Sequence, residues 1–223
     1  MRRALRVALC CVLLFIACYY AFATLAFLGL RWINPPTTGV QIQRRVEALL
    51  GRTKYRKRRA FAPLSRISLD LQRSVIAAED ARFYIHHGID WREVSEVVED
   101  SLESGRVERG ASTITQQLIK NLFFTTSRLP LRKAAELTLA PLAEFILPKQ
   151  RILELYLNEI EWGPGVYGAE AAARYHYGIP ASRVNRDQAT GLAAIVPDPR
   201  HRKPAHMIRY RAIIDNRMRQ MGW

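Results

Sequence analysis

Gly110-Ala111-Ser112-Thr113-Ile114-Thr115-Gln116-Gln117-Leu118-Ile119-Lys120-Asn121 decides the fold class. Ser112 opens a helix, on which Thr113, Gln117, Lys120 and Asn121 fall at i, i+4, i+7 and i+8 and so share one face. Ile114, Leu118 and Leu122 form the apolar face beside it. The polar face carries amides, a hydroxyl and a single cation, whereas an ordinary solvated face carries mixed charges. Ser112 and the free amides of the first turn make a place where an anion can sit.

The same period extends outward in both directions. Ser68 caps a helix running to about Asp80, and Asp90 with Glu93 forms a capping box for a helix ending near Gly105. A helix follows Pro130, with a kink expected at Pro141. Ile152, Leu153, Tyr156 and Leu157 are the core stripe of another. Gly163, Pro164, Gly165 and Gly168 read as a loop, and helices are expected near 168–177, 186–195 and 205–220. No sustained period-two alternation and no repeat is present. Residues 61–223 therefore read as one all-α domain.

Two carboxylates stand out against this frame. Glu79 falls at the C-terminal end of its helix, where the helix dipole opposes negative charge. It also continues the face of Leu71, Val75 and Ala78, which should be buried. A carboxylate so placed holds its proton more tightly and suits general acid or base work near neutral pH. The plain alternative is a helix-end carboxylate paired with Arg82. Glu136 follows Arg132 at i+4, with Lys133 between them. That is either an ordinary helix ion pair or a carboxylate held among cations that bind phosphate. A metal reading of His86 and His87 is weak, because adjacent histidines point apart on regular structure.

Composition sets the boundaries. A chain of 223 residues has room for one domain and an anchor, and 49% apolar residues support a real core. The net charge of +14 asks for an anionic partner. Cys10, Cys11 and Cys18 all lie in an apolar run, so the rest of the chain has neither a disulfide nor a cysteine metal site. Ala8 to Leu30 carry no charge and span about 35 Å as a helix, enough to cross a membrane. A cleaved signal peptide would be shorter, although Ala21-Phe22-Ala23 is a weak cleavage candidate. The chain thus divides into a basic tail (1–7), a transmembrane signal anchor (8–30), a basic linker (31–60) and the domain. Positive charges flank both ends of the anchor, so charge alone leaves its orientation open. In the linker, Arg52, Lys54, Arg56, Lys57, Arg58 and Arg59 are either a solvated stretch or a contact with anionic lipid headgroups, with nucleic acid a weaker third reading.

Four motifs in order now resemble a known family. They are Glu79-Asp80-x-x-Phe83-x-x-His86-x-Gly88-x-Asp90; Gly110-x-Ser112-Thr113-Ile114-Thr115-Gln116-Gln117-Leu118-x-Lys120-Asn121; Arg132-Lys133-x-x-Glu136; and Lys149-x-x-Ile152-Leu153-Glu154-x-Tyr156-Leu157-Asn158. They are similar to the motifs of the peptidoglycan glycosyltransferases, the glycan-polymerising domains of bifunctional penicillin-binding proteins. One domain behind one anchor resembles the monofunctional branch. The resemblance spans roughly residues 60–200.

The resemblance implies a lysozyme-like helical fold and an inverting polymerisation of lipid II on the outer face of the cytoplasmic membrane, with the amino terminus inside. It implies that Glu79 is the general base on the acceptor hydroxyl and Glu136 the second carboxylate. Lys120, Arg132 and Lys133 match positions that bind diphosphate or sugar, with Arg128 a further addition. Asp80, Phe83, His86, Ser112, Thr113, Gln117 and Asn121 match substrate-lining positions. The implied partners are lipid II, the growing glycan strand, the cytoplasmic membrane and other cell-wall synthesis proteins, and no nucleic acid. A divalent ion, Mg or Mn, at the diphosphate is a family feature for which the sequence has no dedicated ligand set, and no cofactor is required. Two other functions compete: a lytic lysozyme-like enzyme that cleaves glycan, which needs no cationic diphosphate site, and a membrane-tethered basic adaptor.

Overall fold

The computed structural model describes residues 2–105, 110–127 and 129–223. Helices dominate, as the periodicity predicts. They are α1 (Arg2–Leu30), α2 (Gly39–Leu50), α3 (Leu69–Glu79), α4 (Trp91–Ser104), α5 (Ile114–Phe123), α6 (Pro130–Ile146), α7 (Lys149–Glu159), α8 (Ala169–Tyr177), α9 (Arg186–Ile195) and α10 (Ile208–Gln220). Ser68 and Asp90 cap their helices as the sequence suggests. The Ser68 side chain accepts from Leu71 N at the start of α3, and Asp90 accepts from the amides of Arg92 and Glu93 at the start of α4. Gly105, in the left-handed region, ends α4.

Two features depart from the sequence expectation. A small sheet is present, in the order β1-β3-β2, from β1 (Arg58–Arg59), β2 (Glu161–Gly163) and β3 (Val166–Tyr167). β1 runs parallel to β3, and β2 antiparallel to it. The stretch 31–60 also holds α2, capped by the Thr38 side chain and packed against α5. Gln41 on α2 donates to Glu159 on α7 (3.1 Å), and Arg59 binds both Glu159 and the Pro35 carbonyl. The helix expected after Pro130 forms as α6, with Pro141 inside it.

The core lies where α3, α5, α7 and α9 meet, around the fully buried Leu71, Ile114, Leu118, Ile152, Tyr156 and Trp162. α10 closes one side of it. Ile214 and Met218 are buried, and Ser74 Oγ on α3 donates to Met218 Sδ (3.1 Å).

α1 is long and apolar enough to cross a membrane, and most of it is exposed. One face of its last turns is not. Ala23, Phe27 and Leu30 join the core beside α6, and the Phe27 ring meets Phe123 edge-on at 5.6 Å. The buried Phe27 ties α1 to the domain by packing. Arg151 on α7 reaches the C-terminal end of α1, donating to the carbonyls of Leu30 (2.8 Å) and Ile33 (3.1 Å). A cation there satisfies orphan carbonyls and complements the helix dipole.

One glycine positions the site. Gly88 has φ +90°, and a Cβ there would lie 2.6 Å from the Ala140 carbonyl carbon and 2.7 Å from Pro141 N. Its carbonyl accepts from Thr113 Oγ1 (2.7 Å), which joins the segment after α3 to the start of α5. Gly88→Ala combines a strained backbone with a backbone clash and should cost roughly 2–5 kcal/mol. Thermal unfolding in detergent checks this, and a wild-type midpoint would contradict it.

Candidate active site

The first motif follows α3 and the second forms α5, and Asp80 joins them. Asp80 ends α3, and its Oδ2 accepts from Ile114 N (2.9 Å), the first amide of α5. Both of its oxygens also lie within 3.0 Å of His86 Nε2. His86 Nδ1 accepts from Gly88 N (3.2 Å), which places the imidazole proton on Nε2, facing Asp80. Thr113, not Ser112, is the N-cap of α5. Its side chain accepts from Gln116 N, and Gln116 reciprocates in a capping box. The anion place expected in the first turn of α5 is thus filled from within, by the Asp80 carboxylate.

Of the residues expected from sequence to line the substrate site, Asp80 borders a cleft beside Glu79, and Phe83 and His86 are buried. Phe83 is 1% exposed, and the Lys149 ammonium sits 4.5 Å from its ring centroid. Lys149 in turn pairs with Glu144, which also accepts from Thr115 Oγ1 (2.6 Å). Glu144 is a buried carboxylate absent from the sequence-derived set. Its i+5 spacing to Lys149 gives no helical signal, because the two lie on different helices. Asn121 folds back, its Nδ2 donating to the Gln117 carbonyl (2.8 Å).

Glu79 lies at the centre. Gln117 Nε2 donates to Glu79 Oε2 (2.8 Å), while Arg82 pairs with Asp90, not with Glu79. Burial raises the proton affinity of Glu79 above that of an ordinary glutamate. The Gln117 bond, then Lys120 and Arg202, oppose this without cancelling it. On one side of Glu79 a cleft of about 540 Å³ opens, lined by Asp80, Ser112, Thr113 and Gln117 and walled by Tyr210 and Arg217 of α10. Arg217 donates to the carbonyls of Ala77 and Ala78 at the end of α3 (3.4 and 3.5 Å). No local pattern links α10 to Glu79, so the sequence is silent about this wall.

The cations lie outside that cleft, along α5 and α6. Glu136 is 3% exposed and is held by Arg132 and by Lys133 Nζ (3.5 Å). Lys133 also donates to Ser112 Oγ (2.8 Å) and Gln116 Oε1 (3.2 Å). Lys120 feels Glu136, Arg132, Glu79 and Lys133, and burial lowers its pKa from the ordinary lysine value. Arg128 falls outside the described residues. Among the described residues no group of three or more His, Cys, Asp and Glu side chains could hold a metal ion. Among the described residues Glu136 already faces two of these cations, so it offers no free carboxylate to a divalent ion held by the protein.

Such an arrangement can take a proton at Glu79 and stabilise negative charge a short distance away. The comparisons with known proteins give the family. The sequence pattern of the transglycosylase family matches residues 46–221. The chain is 43% identical to a biosynthetic peptidoglycan transglycosylase of Laribacter hongkongensis, over 84% of each chain. It is 41% identical to one of Ectopseudomonas mendocina, over 90% of this chain and 84% of that one. A third, from Pseudomonas fluorescens, is 41% identical over 92% and 87%.

Proposed function

The chain belongs to the transglycosylase family, and on that premise we propose that it polymerises lipid II into β-1,4-linked glycan with release of undecaprenyl diphosphate, Glu79 serving as the base. The observation that carries this reading is Glu79 itself, a carboxylate of raised proton affinity between an open cleft and a cluster of cations.

The acceptor sugar enters the cleft on the α10 side. Glu79 takes the proton of its GlcNAc 4-hydroxyl, and the oxygen attacks the anomeric carbon of the donor MurNAc. The bond from that carbon to the lipid diphosphate breaks, with inversion from α to β. Negative charge grows on the departing diphosphate, where Lys120, with Arg132 and Lys133, stabilises it. Glu136 holds Arg132 and Lys133 in place. Gln117 holds Glu79.

α1 anchors the protein in the cytoplasmic membrane with the domain outside, beside its lipid-linked substrate. The burial of Phe27 and the Arg151 contacts hold the domain close to the point where the helix leaves the bilayer. The protein's partners are that substrate, the growing strand and the machinery of wall synthesis.

A lytic relative of the same fold would use one carboxylate as an acid on a glycosidic bond and would have no use for the cation cluster. Sizing the products separates the two. The full chain given labelled lipid II should build a ladder of long glycan and leave preformed glycan intact. Fragmentation of preformed glycan, with no ladder, would replace the synthetic reading by the lytic one.

A further inference from the structure

We propose that Tyr156 is a positioning residue for Glu79 and acts through the Gln117 side-chain amide. This rests on the assignment of Glu79 as base. Tyr156 lies on α7 and is completely buried. Its hydroxyl donates to Gln117 Oε1 (2.8 Å), and Gln117 Nε2 donates onward to Glu79 Oε2 (2.8 Å).

The polarity of this chain matters. A glutamine amide can present either its oxygen or its nitrogen to a neighbour, and only the nitrogen supports an ionised carboxylate. Here every polar group of the amide is engaged. Nε2 donates to Glu79 and to the Ser112 carbonyl (3.4 Å), and Oε1 accepts from Tyr156. If the amide turned over, its oxygen would face two other oxygens, and the Tyr156 hydroxyl would lose its acceptor. Burial holds the Tyr156 phenol protonated far above physiological pH, so it remains a donor throughout. The arrangement therefore keeps an N–H aimed at Glu79 and favours the charged base.

Other groups also face Glu79. Lys120 reaches it from α5, Tyr210 from α10 and Arg202 from the segment before α10, and Asp80 is its neighbour in the chain. Arg217 lies on the carbonyls of Ala77 and Ala78 just before it. The cations favour ionisation and Asp80 opposes it. None of them touches the Gln117 amide oxygen, whose recorded partner is the Tyr156 hydroxyl. In sequence, Tyr156 sits in the apolar stripe of α7 and reads as core packing. Its ring does pack there. Its hydroxyl has a separate use.

The test is the pH profile of lipid II polymerisation by the full chain and its variants. Tyr156→Phe keeps the ring and removes the hydroxyl. It should lower kcat by about tenfold with little change in KM, and move the acid limb of the profile to higher pH, because the carboxylate loses support for its charged form. Gln117→Leu should move the limb in the same direction while leaving the Tyr156 ring in place. In the Gln117→Leu background, Tyr156→Phe should add no further shift. A wild-type limb in Tyr156→Phe, or a shift that adds to that of Gln117→Leu, would overturn the proposal. Glu79→Gln in the same assay keeps the two readings apart. If that variant polymerises, the base assignment fails; if it is inactive and Tyr156→Phe shows no shift, the relay alone fails.

Discussion

Glu79→Gln should bind lipid II as the wild type does and polymerise it about 100- to 10,000-fold more slowly, the usual contribution of a positioned general base. The amide has the shape of the carboxylate and can still accept from Gln117, so the first motif and the cleft keep their form. It cannot take the acceptor's proton. Binding depends on the cations along α5 and α6 and on the cleft walls, none of which is altered. Residual turnover reflects charge stabilisation at the diphosphate, which needs no base. Equilibrium binding of labelled lipid II, measured beside the rate of glycan formation, separates the two effects. Polymerisation near the wild-type rate would remove Glu79 from the chemistry. Loss of binding in parallel with rate would make it a substrate ligand instead.

Lys120→Ala should reduce turnover about 10- to 100-fold, the range expected for losing a charge-assisted hydrogen bond to the leaving group. Lys120 lies among Glu136, Arg132, Glu79 and Lys133, in surroundings dry enough to depress its own pKa. Its removal has a second consequence. Lys120 is one of the cations favouring ionisation of Glu79, so the base should become harder to ionise and the acid limb should move up in pH. A weaker donor interaction together with a displaced limb is the signature of this site. Unchanged kinetics would place Lys120 outside it. A lower rate with an unmoved limb would separate it from Glu79.

Much of this was legible in the residues. The α5 stripe, the Ser68 and Asp90 caps and the awkward position of Glu79 depend on local spacing, and local spacing survives folding. Gln117 donates to Glu79 and Lys120 acts on its charge, both from the shared face of α5. Thr113 was misplaced by one position. It reads as the first residue of the polar face, but Asp80 takes the first amide of α5 and Thr113 becomes its cap.

What stayed hidden depends on contacts between distant segments. α2 reads as linker amid the basic residues around it, although Ile42, Val46, Leu49 and Leu50 recur at helical spacing; they face outward, and the inner side is held by the buried Val40 and the pair Gln41–Glu159. The strands are two or three residues long, too short to show alternation. The role of α10 as a cleft wall and the Tyr156 hydroxyl bond join segments that no periodicity connects.

The central claim is that Glu79 is a base whose proton affinity burial has raised. The most direct test is the pH dependence of single-turnover glycan bond formation by the full chain at saturating lipid II. Falling pH protonates Glu79 and removes the base, so the rate should drop along an acid limb lying above the ordinary glutamate pKa of about 4.3. Lys120→Ala should push that limb higher still. A limb in the ordinary carboxylate range, or one that Lys120→Ala leaves in place, would contradict the account.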